Sequence, residues 1–163
     1  MAILKTVIAD RGIELIEDAD LGGADGVSTG GGIKLRRGLA PAEAFCVLVH
    51  ELAHEMLHKV EPDIRPTKTV RETEAEAVAH VVCESIGLAV GSAASDYIRL
   101  YRGERETLAA SLSRIQTTAC EIIEAVNAGL EQDRAPDQQI SPEMETPRVG
   151  RQMGLYERSR DRG

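Results

Sequence analysis

Apolar residues recur every three or four positions along three stretches of the chain, which is the spacing of a helix face packed against a core. This pattern predicts helices over residues 41–59, 70–87 and 93–129. Gly103 interrupts the last stretch, so we expect a third and a fourth helix there. The final helix carries an apolar stripe, which indicates that it packs against the core: Leu108, Leu112, Ile115, Ala119, Ile122 and Val126.

The first 37 residues show a different pattern, in which a short helix or coil precedes alternating apolar and polar positions. Residues 13–15 and 33–36 alternate in this way, as half-buried strands do. Between Val27 and Ile33, the glycine-rich segment 28–32 supplies residues that tolerate the positive φ of a hairpin turn. We therefore expect a small antiparallel sheet and, together with the helices, an α+β fold.

Beyond residue 130 the apolar periodicity stops, and prolines follow at positions 136, 142 and 147. A segment of this polar composition buries too little apolar surface to offset the entropy lost on folding. We expect one domain over residues 1–130 and a disordered polar tail over residues 131–163.

Composition argues against a nucleic-acid-binding surface. The 163-residue chain carries a net charge of -8 and has no tryptophan, three tyrosines and one phenylalanine. Sequence-independent binding depends on lysine and arginine that neutralise phosphates, and single-strand binding depends on aromatic stacking. We expect no strong binding of nucleic acid.

The lengths of the apolar runs and the N-terminal sequence predict a cytoplasmic protein without a membrane segment. Apolar runs fall far short of the roughly 20 residues that a spanning helix needs. The N-terminal sequence MAILKTVIADRG lacks the long apolar region and the cleavage site of a signal peptide. Cys46, Cys83 and Cys120 are odd in number and each lies in an apolar helical pattern, so we expect reduced core thiols.

The stretch HELAHEMLHK at residues 50–59 carries the most specific chemistry. His50 and His54 lie about 40° apart on a helical wheel and one turn apart along the axis, so both imidazoles can reach one ion. Glu51 projects roughly 60° from His54, close enough to contact a metal-bound water. The pattern predicts a zinc site, and the alternative is a helix whose histidines are only partly exposed.

A third ligand is needed, and the stretch RETEAEAVAHVV at residues 71–82 offers three glutamates. At 100° per residue, Glu74 falls within the apolar stripe of this helix, whereas Glu72 and Glu76 point the other way. A carboxylate on a core-facing stripe needs a compensating charge, and zinc is one. We therefore predict Glu74 as the third ligand; the alternative is a solvated acidic face.

These residues also carry a family resemblance. The sequence GLAPAEAFCVLVHELAHEMLHK, followed by RETEAEAVAHVVCESIGL, resembles the zincin-like metallopeptidase domain of ArdC-type antirestriction proteins, related to ImmA/IrrE metallopeptidases. The resemblance covers roughly residues 11–129. It implies a minimal zincin, in which a small antiparallel sheet packs on the HExxH helix with three further helices. It also implies zinc held by His50, His54 and Glu74, with Glu51 as the catalytic residue.

ArdC-type proteins have a single-stranded-DNA-binding domain ahead of the zincin, and the resemblance begins at the zincin, so DNA binding is not carried over. We expect a zinc-dependent endopeptidase that acts on a protein or peptide substrate, with a DNA-binding regulator as one candidate. The alternative is a non-catalytic, zinc-bearing module for antirestriction or regulation. His58 is expected to form a hydrogen bond near the end of its helix, and the alternative is a metal ligand. His80 is expected to be a satisfied or exposed histidine, and Tyr97 and Tyr101 are expected to pack in the core; the alternative for all three is to stabilise an oxyanion.

Overall fold

The computed structural model describes residues 1–59, 66–88 and 105–134 and confirms the α+β class. Four helices and a three-stranded sheet make up these ranges. In chain order the elements are α1 (Ala2–Asp10), β1 (Glu14–Asp18), β2 (Gly26–Ser28), β3 (Gly32–Arg36), α2 (Pro41–Leu57), α3 (Lys68–Ser85) and α4 (Arg105–Arg134).

The sheet is mixed, so the prediction of an antiparallel sheet is wrong for one of its two strand pairs. The strand order is β1-β3-β2, with β1 parallel to β3 and β2 antiparallel to β3. Alternation shows which residues face the core, but it does not set the direction of a neighbouring strand. The chain between β1 and β3 contains all of β2, which is enough length for the return that parallel pairing requires.

The predicted hairpin is confirmed between β2 and β3. Val27 pairs with Lys34, and the turn uses Gly30 at φ 80° and Gly31 at φ 137°, values that residues with a Cβ rarely adopt. Glu55 on α2 holds this turn. Its Oε1 accepts hydrogen bonds from Gly30 N at 2.7 Å and Ser28 Oγ at 2.6 Å, and its Oε2 accepts one from Gly31 N at 2.6 Å. The hairpin is thereby tied to the helix that carries the HExxH sequence.

The core lies between α2, the sheet and the other three helices. Its fully buried side chains include Leu4 and Ile8 of α1, Ile33 of β3, Leu48 and Leu52 of α2, Val78 and Val82 of α3, and Ile122 of α4. This packing leaves one face of α2 for the histidines.

The stripe predicted on the last helix is confirmed from Ile115 onward and is wrong at Leu112, which is 47% exposed. Ser111 is fully buried in its place, because α4 turns that side toward a polar contact with α3. The side chain of Leu108 lies outside the described part of the structure.

The helix bounds match the predicted spans closely where they can be compared. The second predicted helix begins earlier than expected, because the Thr67 side chain accepts a hydrogen bond from Val70 N at 3.4 Å and caps α3. The fourth predicted helix, α4, is continuous through Arg134, so residues 131–134 of the predicted tail form its last turn. The break near Gly103, the helix before it and the tail from residue 135 lie outside the described residues.

The three cysteines are free thiols, as expected, but they are not all in the core. Cys83 is buried with its Sγ 2.8 Å from that of Cys46, whereas Cys120 is exposed. Within the described ranges, no helix combines the length and the hydropathy needed to cross a membrane.

Candidate metal centre

Helix α2 presents both histidines of the HExxH sequence on one side. Pro41 begins the helix, and Leu48 and Leu52 are buried on the opposite side, so its rotation is set by the core. His50 and His54 are then turned toward α3, with their side chains 21% and 14% exposed. Their Nε2 atoms lie 3.1 Å apart, which confirms that the two imidazoles converge.

Glu72 of α3 completes a triangle with these two nitrogens. Its Oε2 lies 3.6 Å from His50 Nε2 and 3.5 Å from His54 Nε2. A tetrahedral zinc ion with bonds of about 2.0–2.1 Å separates its ligand atoms by about 3.3 Å. The three atoms therefore fit three corners of a zinc tetrahedron, and within the described part of the chain His50, His54 and Glu72 form a group that could hold a metal ion.

The structure does not bring Glu74 to this triangle. The geometry therefore disagrees with the prediction that Glu74, and not Glu72, is the third ligand. Glu74 is fully buried and faces away from His50, accepting hydrogen bonds from Ser111 and Arg114 of α4 and contacting His58 at 2.9 Å. The Arg114 guanidinium supplies a charge that compensates its burial. Because α3 packs against both α2 and α4, the centre of its apolar stripe points between them.

Glu72 and Glu76, which we expected to face solvent only, are half exposed and contact histidines. Glu76 Oε2 lies 3.3 Å from Nδ1 of His50, the ring nitrogen turned away from the triangle. On His54 the corresponding Nδ1 lies 3.0 Å from Nδ1 of His58. Each histidine thus has one nitrogen in the triangle and the other in contact with a partner, which is how metal-binding imidazoles are usually oriented.

Burial and charge act differently on the two imidazoles. Burial lowers the pKa of His50, but the surrounding carboxylates outweigh burial, Glu76 most strongly, and its pKa is raised overall. For His54, burial and the nearby charge of His50 together lower the pKa to about 4. His54 is therefore neutral near pH 7, the form in which an imidazole binds metal.

Glu51 lies next to the triangle, against the edge of the sheet. It is 8% exposed, and a Cβ at Gly26 of β2 would stand 2.7 Å from its Cγ and 2.9 Å from its Oε1. Only a glycine at position 26 lets the strand approach Glu51 this closely. Burial raises the pKa of Glu51, although the charge of His50 and a hydrogen bond with the Ser28 backbone oppose the shift.

Two cavities meet at Glu51 and Gly26. One, of about 280 Å³, extends past His50 and is lined by Cys46, Val47, Ala79 and His80 among others. The other, of about 470 Å³, passes His54 and Glu72 toward Lys68 and Arg71. Both cavities are lined by Gly26 and Glu51, and together they form a cleft that follows β2 past His50, His54 and Glu72.

The secondary candidates fall into three groups. His58 ends α2 and is hydrogen bonded there, as predicted. His80 borders the smaller cavity, and its Nδ1 is buried without a hydrogen-bond partner in the portion of the chain that is described. Tyr97 and Tyr101 lie outside the described residues.

Sequence reasoning missed Glu55, Ser111 and Arg114. Glu55 stands one turn after Glu51, at a position that faces the hairpin, but nothing in the helix pattern shows where a hairpin will dock. Arg114 had no signal of its own, because the roles of Ser111 and Arg114 depend on the contact between α3 and α4. A polar residue within an apolar stripe, as at Ser111, is the one sign that could have been followed.

Comparisons of the chain with protein-family models, with curated proteins and with solved structures find no match. Functional conclusions therefore depend on the geometry of the site.

Proposed function

We propose that the chain is a zinc-dependent metallopeptidase of the zincin type, which hydrolyses a protein or peptide substrate. The observation that carries the proposal is the triangle of His50 Nε2, His54 Nε2 and Glu72 Oε2, with sides of 3.1, 3.5 and 3.6 Å. Two imidazoles and one carboxylate, with the fourth position left for water or substrate, are the donor set of catalytic zinc in several peptidases.

A zinc ion held by these residues would lower the pKa of a bound water to about 7 and polarise the scissile carbonyl. Glu51 is the general base in this proposal. Its carboxylate takes the proton of the attacking water and passes it to the leaving amine. Burial raises the pKa of Glu51 and so increases its strength as a base.

A peptide substrate fits the surroundings of Glu51. Strand β2 is an edge of the described sheet, and it runs along the cleft beside Glu51. The free edge of a strand offers backbone N–H and C=O groups to an extended peptide. A substrate paired with β2 would have its backbone carbonyls close to the metal-binding residues.

The test is cleavage of a fluorescence-quenched peptide library by the wild type and by Glu51→Gln, with zinc content measured in the same samples. Gln is nearly isosteric with Glu and removes no ligand, so zinc should be retained. Turnover should fall by ~10²–10⁴, the usual contribution of a general base. His50→Ala is the control that should lose both zinc and turnover.

Two results would contradict the proposal. Glu51→Gln that retains zinc and cleaves as fast as the wild type would exclude Glu51 as the base. A zinc-loaded wild type that cleaves no peptide of the library would favour a non-catalytic binding module.

A further inference from the structure

A chain of polar contacts leads from His54 at the cleft through His58 and Glu74 to α4. His54 Nδ1 lies 3.0 Å from His58 Nδ1, and His58 Nε2 lies 2.9 Å from Glu74 Oε2. The other oxygen of Glu74 accepts hydrogen bonds from Ser111 Oγ and Arg114 Nη2. His58 is 2% exposed and Glu74 is fully buried, so the contact between these two side chains is shielded from water.

The direction of each hydrogen bond follows from the buried end. A carboxylate only accepts, so His58 must donate its Nε2 hydrogen to Glu74. In a neutral imidazole the second nitrogen is then an acceptor, and His58 Nδ1 accepts from His54 Nδ1. Neutral His54 that donates from Nδ1 has a free lone pair on Nε2, the atom that faces His50 and Glu72.

We propose that His58 and Glu74 are positioning residues, which hold His54 in the tautomer and ring orientation that bind the metal. This inference rests on the proposed metal centre and extends it from α2 and α3 into α4. Ser111 and Arg114 hold the carboxylate of Glu74 at the far end of the chain of contacts. His50 is oriented from the other side, by the half-exposed Glu76.

Stability alone does not account for this arrangement. Burying a carboxylate and an imidazole carries a desolvation cost that apolar side chains of similar volume would avoid. The buried groups on α2, α3 and α4 nevertheless form one continuous chain of contacts, from Ser111 through Glu74 and His58, that ends at one ring nitrogen of His54. Partners of this kind commonly change metal affinity 10–100-fold, and this role explains why polar groups occupy the site.

The test compares two substitutions at position 58 by competition of the protein with a chromogenic chelator for zinc. His58→Leu removes the acceptor for His54 Nδ1, and the dissociation constant for zinc should rise by about 10–100-fold. His58→Asn retains an acceptor oxygen near the position of Nδ1, so its zinc affinity should stay within about 3-fold of wild type, well short of the outer-partner effect. The melting temperature of the metal-free proteins provides the measure of stability.

A second variant reverses the hydrogen bonds without removing them. In Glu74→Gln the amide oxygen should remain with Arg114, which turns the amide N–H toward His58 Nε2. His58 would then donate from Nδ1, and His54 would carry its hydrogen on Nε2, where it blocks the metal. We expect weaker zinc binding here too, and an altered visible spectrum when cobalt(II) replaces zinc.

The outcomes separate this inference from the proposed function. Wild type that binds zinc, with unchanged affinity in His58→Leu and Glu74→Gln, would overturn the inference and leave the metal centre intact. Equal losses of zinc affinity in His58→Leu and His58→Asn, in step with their melting temperatures, would show a merely structural role and overturn it as well. Wild type that binds no zinc would overturn both.

Discussion

Two glutamates on α3, separated by a single threonine, have different surroundings. Glu72 lies half exposed at the triangle with His50 and His54, whereas Glu74 is buried against Arg114. In the proposed centre Glu72 binds the ion, and Glu74 acts through His58 on the orientation of a ligand. The difference arises because α3 lies between two helices, so residues about 160° apart on its surface meet different partners.

Glu72→Gln should therefore weaken zinc binding by more than ~100-fold, beyond the 10–100-fold typical of an outer partner, because it removes the charged ligand itself. Glu84→Gln, an exposed change near the other end of α3, is the matched control and should bind zinc like the wild type. Dissociation constants from chelator competition decide the point. Equal affinities in the two variants would mean that Glu72 is not a ligand.

The convergence of His50 and His54 was predictable from the sequence, because a spacing of four within one helix determines it. The third residue of the triangle could not be predicted in this way. Choosing between Glu72 and Glu74 requires the rotation of α3 relative to α2 and α4, and the apolar arc of α3 is too broad to define that rotation. Burial of Glu74 was foreseen correctly. Its compensating charge was assigned to a metal because Arg114, 40 residues away, has no signal in the local pattern.

At the scale of elements, the hairpin and α2 form one unit through Glu55. Its carboxylate accepts hydrogen bonds from Ser28, Gly30 and Gly31, and β2 is thereby held against Glu51. The hairpin itself could be predicted from its glycines, because positive φ is a local property. The docking of the hairpin on α2 and the parallel pairing of β1 with β3 could not be predicted, because both depend on contacts between residues distant in sequence.

Glu55→Ala should reduce the free energy of unfolding by about 1–3 kcal/mol, since it leaves the two glycine N–H groups without their carboxylate acceptor. Glu43→Ala, an exposed change in the first turn of the same helix, is the comparison and should cost less than about 1 kcal/mol. Urea unfolding measures both. If the two variants unfold at the same urea concentration, the hairpin is not held by Glu55.

At the scale of the whole molecule, the core and the cleft occupy opposite faces of α2. The apolar face packs in the core against the sheet, α4 and the apolar side of α3, while the face with His50 and His54 turns toward Glu72 of α3 and the edge strand β2. The helices could be predicted from their apolar periodicity, and the α+β class could therefore be predicted as well. The way they enclose a cleft could not, since it depends on how α3 and the hairpin pack on α2.

The net charge of -8 also acts at this scale. Without an excess of lysine and arginine, the chain should bind single-stranded DNA at physiological salt no more tightly than about 10⁻⁴–10⁻⁶ M, the non-specific range. A fluorescence titration with a labelled oligonucleotide checks this expectation. Nanomolar affinity would contradict it and would favour a role that involves DNA directly.

The position of the metal tests the central claim most directly. Crystals of the protein grown with zinc can be measured on either side of the zinc absorption edge, where the difference in anomalous signal locates the ion. We predict one peak about 2.0–2.2 Å from His50 Nε2, His54 Nε2 and a carboxylate oxygen of Glu72. A peak bound by Glu74 instead, or no peak at the two histidines, would contradict the account.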